Sequence, residues 1–319
     1  MKLLAMGYGL WAMGYGLLVA PKAVEAQGTG ATRVLLVTGL SGEPKFATSF
    51  HAAASALYDA AKARWRVADS SLVYLAENPA SDPVRIRGRA TRDNLAAAFA
   101  ELARRSAAGD VVLVVLIGHG SGQGPDSRLS LPGVDATATD FASWLRPLAG
   151  RTTVFVNAAS GSGDFLVALA DSERVVITAT KSAFERNEST FAEHFARGLG
   201  GGDADADKDG RVTVLEAFQF ARREVARGYE SRNLLMTEHA QLSDSMLARG
   251  LAFGVAPIPA DPRVAALYAE RQALEGQVAA LRRKKGSLDS LAYERELERL
   301  LLEIANKTAA IRVAEGRKP

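Results

Sequence analysis

The chain has 319 residues, 48% hydrophobic and 24% charged, and this composition excludes a largely disordered chain and a fibrous repeat. The 39 Lys and Arg residues against 36 Asp and Glu residues give a formal net charge of +3, too small to predict a nucleic-acid partner. The chain contains no cysteine, which excludes disulfides, thiolate metal sites and thiol nucleophiles.

Residues 1–26 have the pattern of an export signal. Lys2 gives a positive start, an apolar run extends from Leu3 to Ala20, and the tripeptide ending at Ala26 supplies small residues for a signal peptidase. We therefore predict cleavage before Gln27, a secreted or periplasmic location in a bacterium, and no stable membrane span after cleavage. The alternative is that the apolar run stays as a membrane anchor.

Residues 27–253 alternate between apolar runs and helical stretches. Runs that are apolar on both faces are typical of interior parallel strands. We predict five of them, over residues 33–38, 71–75, 110–117, 152–156 and 174–178. Helices are predicted over 47–65, from Thr91 onwards with one face of Leu95, Phe99 and Leu102, and over 190–199. The alternation predicts an α/β fold: a three-layer αβα sandwich with a mainly parallel sheet and right-handed crossovers.

Two strand ends carry reactive side chains among glycines. His119 follows the third predicted strand and Ser160 follows the fourth. Ligands of parallel sheets bind beyond the carboxyl ends of the strands, and glycine lets the backbone turn sharply and approach a ligand closely. His119 and Ser160 are therefore candidate functional residues. The alternative is a pair of tight turns without chemistry.

The order of these motifs resembles the caspase and legumain (clan CD) peptidase family. In both, one strand ends in His-Gly and a later strand ends in a small residue, the nucleophile position and Ser-Gly. The segments 90–95, 176–182 and 185–191 resemble bacterial caspase-like domains in the same order, so the resemblance spans residues 32–245. It implies a caspase-like αβα domain with peptide or protein ligands.

The resemblance places His119 on the catalytic histidine, Gly120 on the glycine beside it and Ser160 on the catalytic cysteine. A cysteine thiol yields some thiolate near neutral pH, whereas a serine hydroxyl needs a base in direct contact. In this family, as the resemblance implies, the histidine sits somewhat apart from the sulfur. We therefore expect a pseudo-peptidase that acts as a binding or scaffold protein.

An active hydrolase, peptidase or esterase, that uses Ser160 with His119 is the alternative, and a purely structural oligomer is a third. A triad in the order of the α/β-hydrolases would need a later histidine, either His194 or His239. Both are expected to be surface or packing residues, and so is His51 at the start of its Ala-rich helix.

Residues 205–216 match the twelve-residue EF-hand loop, which predicts a calcium ion as structural cofactor. Oxygen-bearing side chains, the required glycine and one backbone carbonyl stand at the diagnostic places. They are Asp205, Asp207, Asp209, Gly210, Arg211 (through its carbonyl), Thr213 and Glu216. Glycines at 198–202 predict that no long helix precedes the loop, and an exit helix is predicted over 214–227. The alternative is an acidic loop that caps this helix.

The last sixty residues are predicted to be a separate helical unit. Residues 254–262 form a proline-containing linker, and leucines or isoleucines then recur every seven residues over 263–315. They form two series, first Leu267, Leu274, Leu281 and Leu288, and then Leu297, Ile304 and Ile311. Gly286 predicts a break with glycine as the helix cap. The unit is therefore a helical hairpin or coiled coil, which either forms a homo-oligomer or binds a partner protein, or packs on its own domain.

Overall fold

A seven-stranded sheet forms the centre of the protein in the computed structural model, which describes residues 30–254 and 260–316. Within these residues the strands are β1 (Thr32–Thr38), β2 (Leu72–Ala76), β3 (Gly88–Arg89), β4 (Val111–Ile117), β5 (Gly120–Ser121), β6 (Arg128–Leu129), β7 (Ala136–Thr137), β8 (Thr152–Asn157), β9 (Arg174–Thr178) and β10 (Gln241–Leu242). The helices are α1 (Pro44–Ala63), α2 (Arg92–Arg105), α3 (Ala138–Leu145), α4 (Phe165–Ala168), α5 (Phe191–Gly201), α6 (Val214–Ser231), α7 (Ser245–Gly250), α8 (Pro262–Arg283) and α9 (Ser290–Ala314).

The strand order in the main sheet is β10-β9-β8-β4-β1-β2-β3. All neighbouring pairs are parallel except β9 and β10, which are antiparallel. The five strands predicted from the sequence are confirmed, with ends that differ by at most one residue. The small antiparallel sheet β5-β6-β7 was not predicted, and neither were β3 and β10, because a two-residue strand has no periodicity to recognise.

The sheet lies between two layers of helices, which confirms the predicted αβα sandwich. One hydrophobic cluster joins alternate strand residues such as Leu36 and Val115 to α1, α5 and α6. A second joins the intervening residues, such as Val37 and Val114, to α2 and α3. Both faces of the central strands are therefore buried, as their continuous apolar sequences require.

Two of the predicted helices begin near their expected positions for clear reasons. The Thr91 hydroxyl caps α2 by accepting the Asn94 N–H at 3.3 Å, and Leu95, Phe99 and Leu102 are buried as predicted. The Ala-rich helix α1 begins three residues before its predicted start, because Pro44 is at its first turn, where a missing N–H costs nothing.

The expectation that no long helix precedes the 205–216 loop is wrong. Helix α5 continues through Gly198 and Gly200 to Gly201, so the loop joins two helices that pack together. A Cβ on Gly198 would lie 2.9 Å from the Phe220 ring and 3.5 Å from the Ala217 Cα. The glycine therefore allows close contact between α5 and α6 instead of ending the helix.

Helices α8 and α9 form an antiparallel hairpin. Leu274, Val278 and Leu300 make a small core of their own, and the Tyr268 hydroxyl donates to Glu315 at 2.9 Å. Two expectations about the turn are wrong. Helix α8 is capped by Lys284, so Gly286 lies in a short 3-10 turn, and Leu288 is 39% exposed because it follows that turn, outside both helices.

The hairpin also contacts residues 30–254. Arg271 of α8 bonds Asp209, and Arg282 of α8 bonds Asp244 at the start of α7. Within the described ranges, no helix is both long and apolar enough to cross a membrane. The predicted export signal, residues 1–26, and residues 255–259 of the predicted linker lie outside the described residues.

Candidate functional site

The sheet brings the two candidate strand ends side by side. Strands β4 and β8 are parallel neighbours, with Leu116 beside Asn157, and the Ala158 N–H donates to the Leu116 carbonyl at 2.8 Å. The segments that carry His119 and Ser160 therefore leave the sheet side by side, at the carboxyl ends of adjacent strands. Ligands of α/β proteins bind at this end of the sheet.

Ser160 is almost fully enclosed, with 3% of its surface exposed. Its hydroxyl oxygen accepts one long hydrogen bond, from the Gly120 N–H at 3.4 Å. Within residues 30–254 and 260–316, the hydroxyl has no hydrogen bond to an imidazole or a carboxylate. Nothing in this arrangement removes its proton.

The ring of His119 makes no hydrogen bond to that hydroxyl in the described part of the chain, and its contacts lie elsewhere. Its Nε2 lies 3.2 Å from the Ser41 carbonyl oxygen, and its edge packs on the rings of Phe46 and Phe50 at centroid distances of 4.7 and 5.2 Å. A carbonyl oxygen can only accept, so Nε2 carries a hydrogen in this bond and is not available to take one from Ser160.

Gly120 has a steric reason to be glycine. A Cβ at this position would lie 2.4 Å from the Ser160 carbonyl oxygen and 3.0 Å from the Arg128 carbonyl oxygen. Only a residue without a side chain lets the two strand-end segments approach this closely. The glycine predicted beside His119 is therefore the point where the two segments touch.

His239 is paired, which the sequence analysis did not anticipate. Its Nδ1 lies 2.5 Å from Oε1 of Glu185, and the Glu185 carbonyl accepts the Gly161 N–H at 2.8 Å. Burial would raise the pKa of Glu185, but hydrogen bonds from the Lys181 N–H, the His239 ring and the His239 N–H outweigh it and hold the pKa below its usual value. Glu185 gave no sequence signal, because 54 residues separate it from His239.

The other two histidines also lie away from Ser160. His194 is half-buried in α5, as a packing residue, and burial lowers the pKa of its ring. His51 of α1 was expected at the surface, but its Nδ1 lies 3.3 Å from the Tyr74 hydroxyl and its Nε2 lies 3.4 Å from Asp82. Its ring therefore lines a cavity described below.

The acidic loop brings its three aspartates together. One carboxylate oxygen from each of Asp205, Asp207 and Asp209 lies within 4.8 Å of the others. Asp205 accepts the N–H groups of Asp209 and Gly210, at 3.1 and 2.9 Å, and Gly210 has a φ of +81°. The loop therefore curls its side-chain oxygens towards one point, which is the arrangement a hard cation needs.

The end of the loop is held by the last candidate ligands. Thr213 and Glu216 form a capping box at the start of α6, in which the Glu216 carboxylate accepts the Thr213 N–H at 2.9 Å. The other Glu216 oxygen accepts the Ala206 N–H at 3.0 Å. Arg211 donates its N–H to Asp209 at 2.8 Å. All the side chains proposed as ligands lie on one loop, and their donor set suits calcium.

Arg271 of the hairpin packs against this loop. Its guanidinium, 7% exposed, lies 3.5 Å from Asp207, bonds Asp209 and lies 3.4 Å from Glu275. Burial raises the pKa of Asp207, and the charges of Asp209 and Glu216 raise it further, while Arg271 opposes them. Crowded carboxylates of this kind favour a cation, and the sequence analysis had not identified Arg271 as a partner.

No protein-family model matches the chain. No curated protein matches it either. Among solved structures the chain is similar to drICE, with a TM-score of 0.41 and 11% identity over 69% of this chain and 90% of drICE. It is also similar to protein GSU0716 from Geobacter sulfurreducens, with a TM-score of 0.44 and 14% identity over 73% of this chain and 96% of that protein. Likenesses at this level assign neither a family nor an activity to the chain.

Proposed function

We propose that this chain is an exported caspase/legumain-like pseudo-peptidase, which binds a peptide or protein segment and does not cleave it. The proposal combines the sequence resemblance with the adjacent strand ends that carry His119 and Ser160. An edge of this kind, with glycine turns at both strand ends, offers backbone groups to an extended ligand.

The observation that carries the proposal is the isolation of the Ser160 hydroxyl. Acyl transfer by serine needs a general base within about 3 Å of the hydroxyl. Among the described residues, the hydroxyl has one hydrogen bond, from the Gly120 N–H, and Nε2 of His119 donates to the Ser41 carbonyl. Oxygen in place of sulfur thus removes the nucleophile without supplying an activator.

A fluorophosphonate probe tests this proposal, because it labels activated serine hydroxyls. The full chain should show no more labelling than its Ser160→Ala variant, in buffer with calcium. Stoichiometric labelling at Ser160 that disappears in Ser160→Ala would overturn the pseudo-peptidase assignment. Ser160→Cys introduces the only thiol of the chain, and peptide cleavage by that variant would show that the rest of a peptidase cleft is intact.

Calcium is the proposed structural cofactor. The residues that support this are Asp205, Asp207, Asp209, Thr213 and Glu216, with the Arg211 carbonyl as the expected backbone ligand. Bound calcium would hold the loop between α5 and α6, and this chain's residues would supply oxygens only. An extracellular or periplasmic location favours occupancy, because millimolar calcium fills even a weak site.

The hairpin is proposed to join two copies of the chain. Leu291, Leu302 and Val313 on α9 are each more than half exposed. Successive members are eleven residues apart, three turns of an α-helix, so they lie on one face. Light scattering should give a dimer for the full chain and a monomer for Leu302→Glu. A monomeric full chain would contradict this part of the proposal.

A serine hydrolase is the second candidate, because the Glu185 and His239 pair supplies two of the three members of a triad. The chain order Ser160, Glu185, His239 is that of the α/β-hydrolases, and Glu185 touches Gly161 beside Ser160. This candidate predicts fluorophosphonate labelling that is lost in His239→Gln and kept in His194→Gln. Absence of labelling in the unmodified chain excludes it.

A further inference from the structure

A cavity lies beside the strand-end site, between the carboxyl ends of β1 and β2 and the first turns of α1. Its volume is about 430 Å³, within the range of small-ligand pockets. Thr38, Ser41, Phe50, His51, Tyr74 and Glu77 supply most of its polar and aromatic lining.

The cavity adjoins His119 through two of its lining residues. The Ser41 carbonyl oxygen lies 3.2 Å from Nε2 of His119, and the Phe50 ring packs on the His119 ring. A peptide that crosses the edge of the sheet at His119 therefore passes the mouth of this cavity. One of its side chains can enter.

Glu77 gives the cavity its charge. One carboxylate oxygen, Oε2, accepts both the N–H and the hydroxyl of Ser41, at 2.9 and 2.6 Å. The other oxygen, Oε1, has no hydrogen bond or ion pair within the described residues, and the lining contains neither Lys nor Arg. The hydrogen bonds to Oε2 hold the carboxylate in place, and Oε1 remains able to accept from a cation.

The other titratable groups around the cavity are already paired. His51 lies beside Asp82, and Asp82 also accepts from the Arg85 guanidinium at 2.9 Å. Tyr74 is buried beside the Thr38 hydroxyl, and burial raises its pKa to about 12, so its ring stays neutral. Glu77 is the uncompensated charge of the lining.

We propose that this cavity binds a basic side chain, arginine or lysine, of the bound peptide. This inference rests on the proposed peptide-binding function and names the specificity of that site. The open Glu77 oxygen accepts from the guanidinium or ammonium group, and the apolar stem of the side chain packs on the aromatic lining.

Binding of positional peptide pools tests the inference. Fluorescein-labelled hexapeptides, random except for one fixed residue, are titrated with the full chain in calcium-containing buffer and followed by fluorescence polarisation. The fixed residue is arginine, lysine, neutral citrulline or glutamate. At one position the arginine pool should bind about ten-fold tighter than the citrulline pool, since a charged hydrogen-bond partner contributes roughly 1.5–3 kcal/mol.

Glu77→Gln is the matched variant, because its amide oxygen can still accept from Ser41. It should reduce the ratio of arginine to citrulline affinity to near one. Glu43→Gln is the control, because it changes an exposed carboxylate close to Ser41 in the sequence that does not line the cavity. It should leave the ratio unchanged. The ratio in the unmodified chain tests the charge requirement even where a variant folds poorly.

Three results would overturn the inference. Equal affinity for arginine and citrulline pools at every position would disprove the preference for a basic side chain. An arginine preference unchanged by Glu77→Gln would disprove the role of Glu77. Neither result would contradict peptide binding. Absence of binding by every pool would remove the peptide-binding function itself.

Discussion

Two residues decide what the strand-end site can do, and their roles are different. Ser160 decides the chemistry, because among the described residues its enclosed hydroxyl has one hydrogen bond, from an N–H donor, and a serine nucleophile needs a base instead. Gly120 decides the geometry, because the segments after β4 and β8 make close contact at this residue. The sequence identified both positions, since strand ends and glycine turns are local patterns. The direction of the His119 ring was not predictable, because it depends on Ser41, 78 residues away.

Replacing Gly120 with alanine should destabilise the protein. The added Cβ would stand 2.4 Å from the Ser160 carbonyl oxygen, a backbone atom that cannot turn aside, and the cost of such overpacking is about 1–3 kcal/mol of unfolding free energy. Urea denaturation measures it. Gly276→Ala is the control: it lies in α8 with no neighbour within 4 Å of its Cβ position, so no steric cost is expected. Equal stability for Gly120→Ala and the unmodified chain would disprove the close contact.

At the scale of secondary structure, the sequence predicted elements whose signals are continuous and missed those that depend on distant partners. The central strands were recognised because both of their faces are apolar. Helix α5 was predicted over 190–199 and continues two residues further, to Gly201. Gly198 lies inside it, where α6 packs too closely for a side chain. Composition alone cannot tell a glycine that ends a helix from one that lets two helices meet.

The start of α3 gives a pH-dependent prediction. The Arg92 guanidinium bonds Asp140 at 2.5 and 3.1 Å and, with the Thr137 N–H, lowers the pKa of Asp140 to about 2 against the effect of burial. A carboxyl whose pKa is depressed on folding stabilises the protein above its unfolded pKa, and this stability is lost as the pH falls through the folded value. Asp140→Asn should therefore cost about 1–2 kcal/mol at pH 7 and roughly half as much near pH 3.

Urea denaturation at pH 7, 5, 4 and 3 measures this loss. Glu230→Gln, an exposed carboxylate near the end of α6, should change the unfolding free energy by less than about 0.5 kcal/mol at each pH. A penalty for Asp140→Asn that stays constant down to pH 3 would show that the ion pair with Arg92 does not contribute.

For the whole molecule, the acidic loop is one place where the αβα domain and the hairpin meet, another being the ion pair of Arg282 with Asp244. The loop was found in the sequence because its candidate ligands fall within twelve residues. The contact of the loop with Arg271 was not predicted, because 62 residues separate Arg271 from Asp209. The same distinction holds for the cavity beside His119, whose lining comes from β1, α1 and β2. Contacts between residues distant in the sequence, such as these, left no local pattern from which they could be predicted.

Calcium should raise the melting temperature of the full chain. An ion at about 100 times its Kd stabilises the folded state by roughly 2.7 kcal/mol, which corresponds to about 5–10 °C for a domain of this size. Differential scanning calorimetry with calcium and with chelator measures the shift. The double variant Asp205→Ala, Glu216→Ala should abolish it, and Glu188→Ala with Glu230→Ala, two exposed acids outside the loop, should not. Identical melting curves with ion and chelator would refute the site.

Arg271 should weaken the binding of that calcium ion. Its guanidinium bonds Asp209 and lies 3.5 Å from Asp207, two of the proposed ligands. A divalent ion and a guanidinium about 6 Å apart repel by roughly 1 kcal/mol even in water. Isothermal titration at low ionic strength should give Arg271→Met about five-fold tighter calcium binding than the unmodified chain. Arg263→Met, at the exposed start of α8, removes the same charge away from the loop and should leave the Kd unchanged. Weaker binding by Arg271→Met would mean that the guanidinium organises the carboxylates for the ion instead of competing with it.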